Sequence, residues 1–392
     1  GPLLEKLMTI NGTDKVISCF LRVHRTLLIQ RQSHVVTDVK TIITDWIITT
    51  YSVLKMGNIA QNGDLAERLN SDFVKDVLPV TVFVGILACV GFIGNVLVLY
   101  VFLFKYHTCN FKYFVLFLAL IDLTSCLTTI PGEIVTQSFW YIYPVPEICK
   151  AKSFFNVFTV CASALCLLLI AIDRYRKVCK RFGRQIRPKM AIFLCVCALV
   201  IAGMVASPVA IYWGVQDYSV PYKNFTVNVT SCETDGRFKN TEYPLVYSTI
   251  TSVIIVIPVI VMAVLYFLIA CEIRRSRQRA STTRSVTTDT VEESVQLLTP
   301  LSIQENPKIE RKTLIMFIFS AVFIITTIIY LILLSLIAKE DNILRNLSSG
   351  ERAVYFFFFR LYFIHHAINP FVYAFLDVHF QEVLRETCRI RN

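Results

Sequence analysis

Charge is scarce in this chain. Only 17% of its 392 residues are Asp, Glu, Lys or Arg, while 55% are hydrophobic. A soluble protein of ordinary composition carries nearer a quarter charged residues. So little charge cannot cover a water-facing body of this size, and the shortage points to lipid. Also missing are a Gly-rich phosphate loop, a His/Cys metal spacing, and a nucleophile with base and orienting group, so no enzymatic constellation stands out. The start, from Gly1, lacks the charged lead, apolar core and small-residue cleavage site of a secretory leader. The chain is expected to be either a fragment or to carry a gene-model extension over residues 1–55, with Met56 as an alternative start. The net charge of +11 would suit nucleic acid if it formed a face. It does not: Lys and Arg fall in short runs between apolar stretches, the pattern of cytoplasmic loops, so no nucleic-acid partner is expected.

Apolar length, by contrast, is plentiful. A hydrocarbon core about 30 Å thick takes about 20 helical residues to cross. Seven stretches qualify: Val77–Phe104, Tyr113–Val135, Cys149–Val178, Met190–Tyr212, Tyr243–Ile273, Thr313–Ile337 and Val354–Phe375. Backbone in lipid must satisfy its own hydrogen bonds, so each reads as a helix, and the fold class is an all-α membrane bundle of seven spans. The connections after spans one, three and five are the basic ones, which places them in the cytoplasm, the N-terminus outside and the tail inside. The sequons at Asn11, Asn224, Asn228 and Asn346 all fall outside in this topology. Most of the thirteen cysteines fall within spans or on the reducing side. Cys149 and Cys232 are placed in the oxidising compartment and are expected to be bridged, with Cys19 as the competing partner. The domain reading is an extracellular segment 1–76, a membrane domain 77–376 with a disordered cytoplasmic loop 272–312 inside it, and a helix and tail 377–392.

Several polar residues break the apolar spans. Asp173-Arg174-Tyr175 ends the third, followed at once by basic residues. Alone it could be loop decoration, with Arg174 snorkelling to lipid phosphate. But Gly94-Asn95-Val96-Leu97-Val98 sits in the first span, Leu118 to Asp122 in the second, Pro258 and Tyr266 in the fifth, and Asn369-Pro370-Phe371-Val372-Tyr373 in the seventh. This ordered set resembles the rhodopsin-like (class A) G-protein-coupled receptors over about Val77 to Cys388. The resemblance implies a switch. Asp173 holds Arg174 at rest; on activation the sixth helix swings out and Tyr266 and Tyr373 turn inward to support the freed Arg174. The opened cleft then admits a heterotrimeric G protein, into which Phe182 plugs. Asn95, Asp122, Asn369 and Pro370 would form the polar core. The resemblance also implies arrestin and receptor kinases as partners. It suggests an allosteric sodium ion with Asp122, Ser163 and Asn369 among its ligands. Against that ion, His365 and His366 stand where the family usually offers Asn and Ser or Cys; as neutral partners in the polar core they would be unremarkable. No cofactor is required.

The chain also departs from the pattern. Ala198 stands near the usual Trp of the fourth span, and the sixth lacks its Trp and Pro, with Thr327 and Ile329 in their place. Asn156 replaces the Asp of amine receptors, which argues against an amine ligand, and Phe363 stands where opsins carry their retinal-linking Lys. The loop between spans four and five resembles the hairpin lid of peptide receptors. Tyr218, Tyr222, Phe225, Trp140 and Tyr143 are either peptide anchors or interfacial belt residues. Glu133, Gln137, Asn156, Thr327 and Arg360 are pocket candidates by depth. The expected ligand is a peptide and the expected location the plasma membrane; a non-signalling scavenger or scaffold is the alternative, and a transporter a more distant one. Residues 377–388 read as an amphipathic helix with Phe380, Val383 and Leu384 on lipid and Cys388 as a palmitoylation site.

Overall fold

The computed structural model describes residues 65–180, 183, 185–223, 225–239, 241–288, 307–339 and 347–389. Among these, six helices are long and apolar enough to cross a membrane: Leu65–Phe104, Asn110–Ser138, Pro146–Cys179, Pro188–Tyr212, Tyr243–Ser276 and Arg311–Leu336. The third of them packs on the second, fourth, fifth and sixth and forms the bundle axis.

The expected seventh span is not one continuous helix. It runs as Ser349–Arg360, a 3-10 turn Leu361–Phe363, and Ile364–Leu376. Its start is fixed by a capping box, in which Ser348 and Glu351 each bond the other's backbone N–H. The tight turn falls where the His365 imidazole reaches back to the Tyr362 carbonyl. Further on, Pro370 has no N–H to give the His366 carbonyl. The side chain of Asn95 on the first helix donates to that carbonyl at 2.8 Å instead. Gly94, one residue earlier, lets the Pro370 ring approach: a Cβ there would lie 2.8 Å from Pro370 Cβ. The Gly-Asn pair and the proline are two halves of one helix contact.

A comparable accommodation breaks the second helix. Pro131 cannot bond the Leu127 carbonyl, and the backbone widens into a π turn over Ser125–Thr129 before resuming as Ile130–Ser138. Outside the bundle, Trp213–Tyr222 (β1) and Phe225–Thr234 (β2) form an antiparallel hairpin. Lys223 at its tip has φ 54°, in the left-handed region. The bridge Cys149–Cys232, with Cα atoms 5.5 Å apart, ties β2 to the top of the third helix.

Four points differ from the sequence reading. The first helix begins at Leu65, well inside the segment read as extracellular chain, because Ala66, Leu65 and Leu69 pack on Val220, Val227 and Val229 of the hairpin. The fifth helix continues to Thr288 and the sixth begins at Pro307, so the ends of 272–312 are helical rather than irregular. Arg, Gln and Glu there are good helix formers once a membrane helix has supplied the nucleus. Trp140 and Tyr143 are packing residues, not free anchors: Trp140 stacks on Phe73 at 4.9 Å, and Tyr143 is buried, which pushes its phenol up to about 12. Finally, Phe380, Val383 and Leu384 on the last helix, Val378–Arg389, are buried against the bundle, with Phe380 6.0 Å from the Tyr373 ring, so they do not face lipid.

Candidate functional site

Polar side chains in an apolar bundle need partners, and here they gather at three depths. At the C-terminal end of the third helix, Asp173 is fully buried and Arg174 nearly so. Arg174 Nε lies 3.1 Å from Asp173 Oδ2, and its terminal nitrogen pairs with the same oxygen. Lys177, one turn on, also reaches Oδ2 at 2.9 Å. Asn110, at the start of the second helix, donates to Oδ1 at 3.0 Å and to the Ile186 carbonyl at 2.7 Å. Asn110 thus ties the Asp173 carboxylate of the third helix to the second helix and to the loop ahead of the fourth. Tyr175, the next residue, is half-buried against the core. Tyr266 is buried and its hydroxyl accepts from Ser320 of the sixth helix at 3.1 Å. Tyr373 is buried among the rings of Phe102, Phe111 and Phe319.

At mid-depth, Asp122 is sealed from solvent. One of its oxygens accepts from Asn369 Nδ2, and the other lies 2.8 Å from His366 Nδ1. Asn95 joins this group through the His366 backbone. Ser163 is buried, and its hydroxyl finds no partner among the described residues.

Towards the end of the bundle that carries the hairpin, here called the outer end, Glu133 and Arg360 form a buried ion pair between the second helix and the seventh segment. Lys152 of the third helix approaches the other Glu133 oxygen at 3.3 Å. The Arg360 guanidinium lies 4.6 Å over the Phe359 ring and 5.7 Å over that of Phe356. One turn above Glu133, Gln137 accepts from Thr81 at 2.6 Å. Asn156 accepts from Tyr362 at 2.9 Å. Thr327 is buried on the sixth helix. Above this layer the first helix grips the hairpin and the seventh segment, through Tyr222 donating to Asp72 at 2.8 Å and Asp76 pairing with Arg352 at 2.7 Å. The Asp72 bond raises the Tyr222 phenol.

The sequence candidates Glu133, Gln137, Asn156 and Arg360 therefore take part in one outer polar layer, with Glu133 and Arg360 in direct contact. Missed were Lys152, Asn110 and Lys177; His366 was read as a neutral partner in the polar core, without its partner Asp122 being named. The opposite signs of Glu133 and Arg360 in apolar surroundings signalled a pair, but no spacing rule linked their helices. Asn228 is exposed on β2, where its Oδ1 accepts from Ser219 at 2.7 Å. Phe182, Asn11, Asn224, Asn346, residues 289–306 and the side chain of Cys388 lie outside the described residues.

A helical bundle with six membrane-length helices and a column of buried polar residues from one end to the other defines a polytopic membrane protein. The family follows from comparison. The description "7 transmembrane receptor (rhodopsin family)" matches residues 94–373, and the chain belongs to that family, which is one of receptors rather than enzymes. It is also similar to the neuromedin U receptor homolog nmur-2 of Caenorhabditis elegans, with 26% identity over 234 residues, 54% of this chain. The chain covers 57% of that relative's length.

Proposed function

We propose that the chain is a plasma-membrane receptor that binds an extracellular peptide and activates a heterotrimeric G protein. The observation that carries this reading is the buried Arg174, held by Asp173 at one end of the third helix with Tyr266 also buried nearby on the fifth helix and Tyr373 on the seventh segment. An arginine kept from lipid and water by a single carboxylate is a two-state element: paired now, available once the pair opens. The relative's name, a neuromedin U receptor homolog, supports a peptide as the ligand. The bridged hairpin supports it too, since it overhangs the outer polar layer and leaves Phe225 exposed.

In this reading the seventh segment crosses the membrane despite its 3-10 turn, with the N-terminus outside and the tail in the cytoplasm. The Val378–Arg389 helix lies at the inner membrane surface, where Cys388 is the acylation site and lipid, arrestin and receptor kinases are the further partners. Asn11, Asn224, Asn228 and Asn346 are the glycan sites. Phe182 and Tyr175 meet the G protein. The sixth helix carries no proline after Pro307, but the Thr326 hydroxyl takes the Val322 carbonyl at 2.8 Å, a back-bond that bends helices. That gives the outward swing a hinge without proline.

The test is G-protein dissociation in cells expressing the chain, challenged with a neuropeptide library, with Arg174→Ala in parallel. A peptide response lost in Arg174→Ala supports the reading. Surface expression with neither peptide response nor basal coupling sinks it and favours the non-signalling scavenger, for which the altered sixth helix speaks.

A further inference from the structure

The resemblance to receptors that hold a sodium ion beside the second-helix carboxylate can be tested on the geometry of Asp122. A cation there needs free carboxylate oxygen, because neutral hydroxyl and amide oxygens cannot offset the cost of burying a charge. Neither oxygen is free. Oδ2 accepts from the Asn369 amide, and Oδ1 lies 2.8 Å from His366 Nδ1. The hydrogen of that contact sits on Nδ1 or on Oδ1, and in either case the imidazole fills the space against this oxygen. The Asn369 amide and the imidazole thus cover the two sides from which a cation would approach. The imidazole is fixed there: Asn95 holds the His366 carbonyl at 2.8 Å, and the His365 ring lies against it with centroids 3.7 Å apart. The first helix closes in behind, since a Cβ on Gly91 would be 2.8 Å from Cys126 Sγ and 3.3 Å from the His366 carbonyl. Ser163, the third residue the resemblance offered, is buried with an unpartnered hydroxyl, but it supplies no charge.

We infer that in this chain the His366 imidazole replaces the sodium ion: it occupies the coordinating face of Asp122 and joins the second helix to the seventh segment by a hydrogen bond built into the protein. The receptor is accordingly indifferent to sodium, and the site is latent, needing only removal of the imidazole to reappear.

The experiment compares thermal unfolding of the purified full chain in about 150 mM sodium chloride and in potassium chloride of the same ionic strength. The wild type is expected to unfold at the same temperature in both. His366→Ser, which frees Oδ1 and supplies a hydroxyl oxygen, is expected to gain a sodium-specific rise of about 2–4 °C. That rise should vanish in the double variant His366→Ser with Asp122→Asn. A sodium-specific rise in the wild type that Asp122→Asn abolishes would overturn the inference, as would a folded His366→Ser with no sodium response. Should His366→Ser fail to fold, sodium-23 line broadening by the wild type against Asp122→Asn decides alone: equal widths support the inference, and excess broadening by the wild type refutes it. Neither ligand nor G protein enters these measurements, so their failure leaves the receptor reading standing, and absent coupling leaves this inference standing.

Discussion

Removing Arg360 tests the outer polar layer most directly. Arg360→Met keeps much of the side chain's apolar volume but leaves Glu133, fully enclosed in protein, with Lys152 as its remaining cation at 3.3 Å. Breaking a buried pair from one side costs about 3–5 kcal/mol. Lys152 offsets part of that, which argues for the lower end, about 3 kcal/mol. Glu133→Gln strands the guanidinium instead, but the Phe359 ring 4.6 Å away retains a cation–π contact worth about 0.5–2 kcal/mol. Its loss should therefore be smaller, about 2 kcal/mol. Replacing both partners together removes the stranded charge, so the double variant should lose less than the sum of the singles by about 2 kcal/mol. The assay is thermal unfolding in detergent. At about 2–4 °C per kcal/mol, Arg360→Met should unfold about 6–12 °C early and the double variant by about the same amount, short of the roughly 10–20 °C that strict additivity would give. Strict additivity of the two singles would show that the guanidinium and carboxylate do not depend on each other, and would refute the reasoning.

Gly94→Ala should lower stability by about 1–3 kcal/mol, because its methyl runs into Pro370, read as an earlier melting transition. Asn95→Ala leaves the His366 carbonyl without a donor and should cost about 1–3 kcal/mol, whereas restoring an N–H at position 370 by Pro370→Ala in the same chain should recover part of it. Cys232→Ser frees β2 from the third helix; a loss of about 2–5 kcal/mol is expected, with faster proteolysis of residues 213–234, and unchanged proteolysis would contradict it. Lys177→Gln should lower basal G-protein release while leaving surface expression intact, and Lys177→Arg should restore it; higher basal release in Lys177→Gln would overturn the role argued below.

Much of the bundle was legible because lipid imposes a coarse rule, about 20 apolar residues per crossing, that needs no knowledge of packing. The Cys149–Cys232 bridge was legible for a similar reason, since compartment leaves few cysteines to pair, whereas the hairpin came only from the resemblance to peptide receptors. What escaped was everything set by contact between distant segments. Phe380, Val383 and Leu384 form a stripe that suits lipid or protein equally, and only the position of Phe102 and Tyr373 decides for protein. The helix extension 65–76 carries Glu67, Arg68, Asp72 and Lys75, which read as aqueous chain; its burial depends on a hairpin some 150 residues away in sequence. His366 could be named from sequence as a departure, but not that its Nδ1 faces Asp122, since helix rotation sets that. Pro131 was the one missed local signal: a proline late in an apolar span marks a change of helical pitch.

The arrangement around Asp173 bears on how the proposed switch would open at all. Were Arg174 the carboxylate's sole cation, releasing it would strand a buried charge at about 3–5 kcal/mol, enough to hold the active state to well under one per cent unless a ligand met the whole difference. Asp173 instead keeps Lys177 on Oδ2 and Asn110 on Oδ1 when Arg174 departs. Both cations share one oxygen in the closed form, so the departure of one relieves their mutual repulsion and strengthens the bond to the other. The cost of opening is then confined to desolvating Arg174 in its new place, which an incoming protein surface can offset. A latch with a second counter-ion is therefore easier to release. That is why the effect of Lys177 should show in basal coupling and not in the amount of folded receptor.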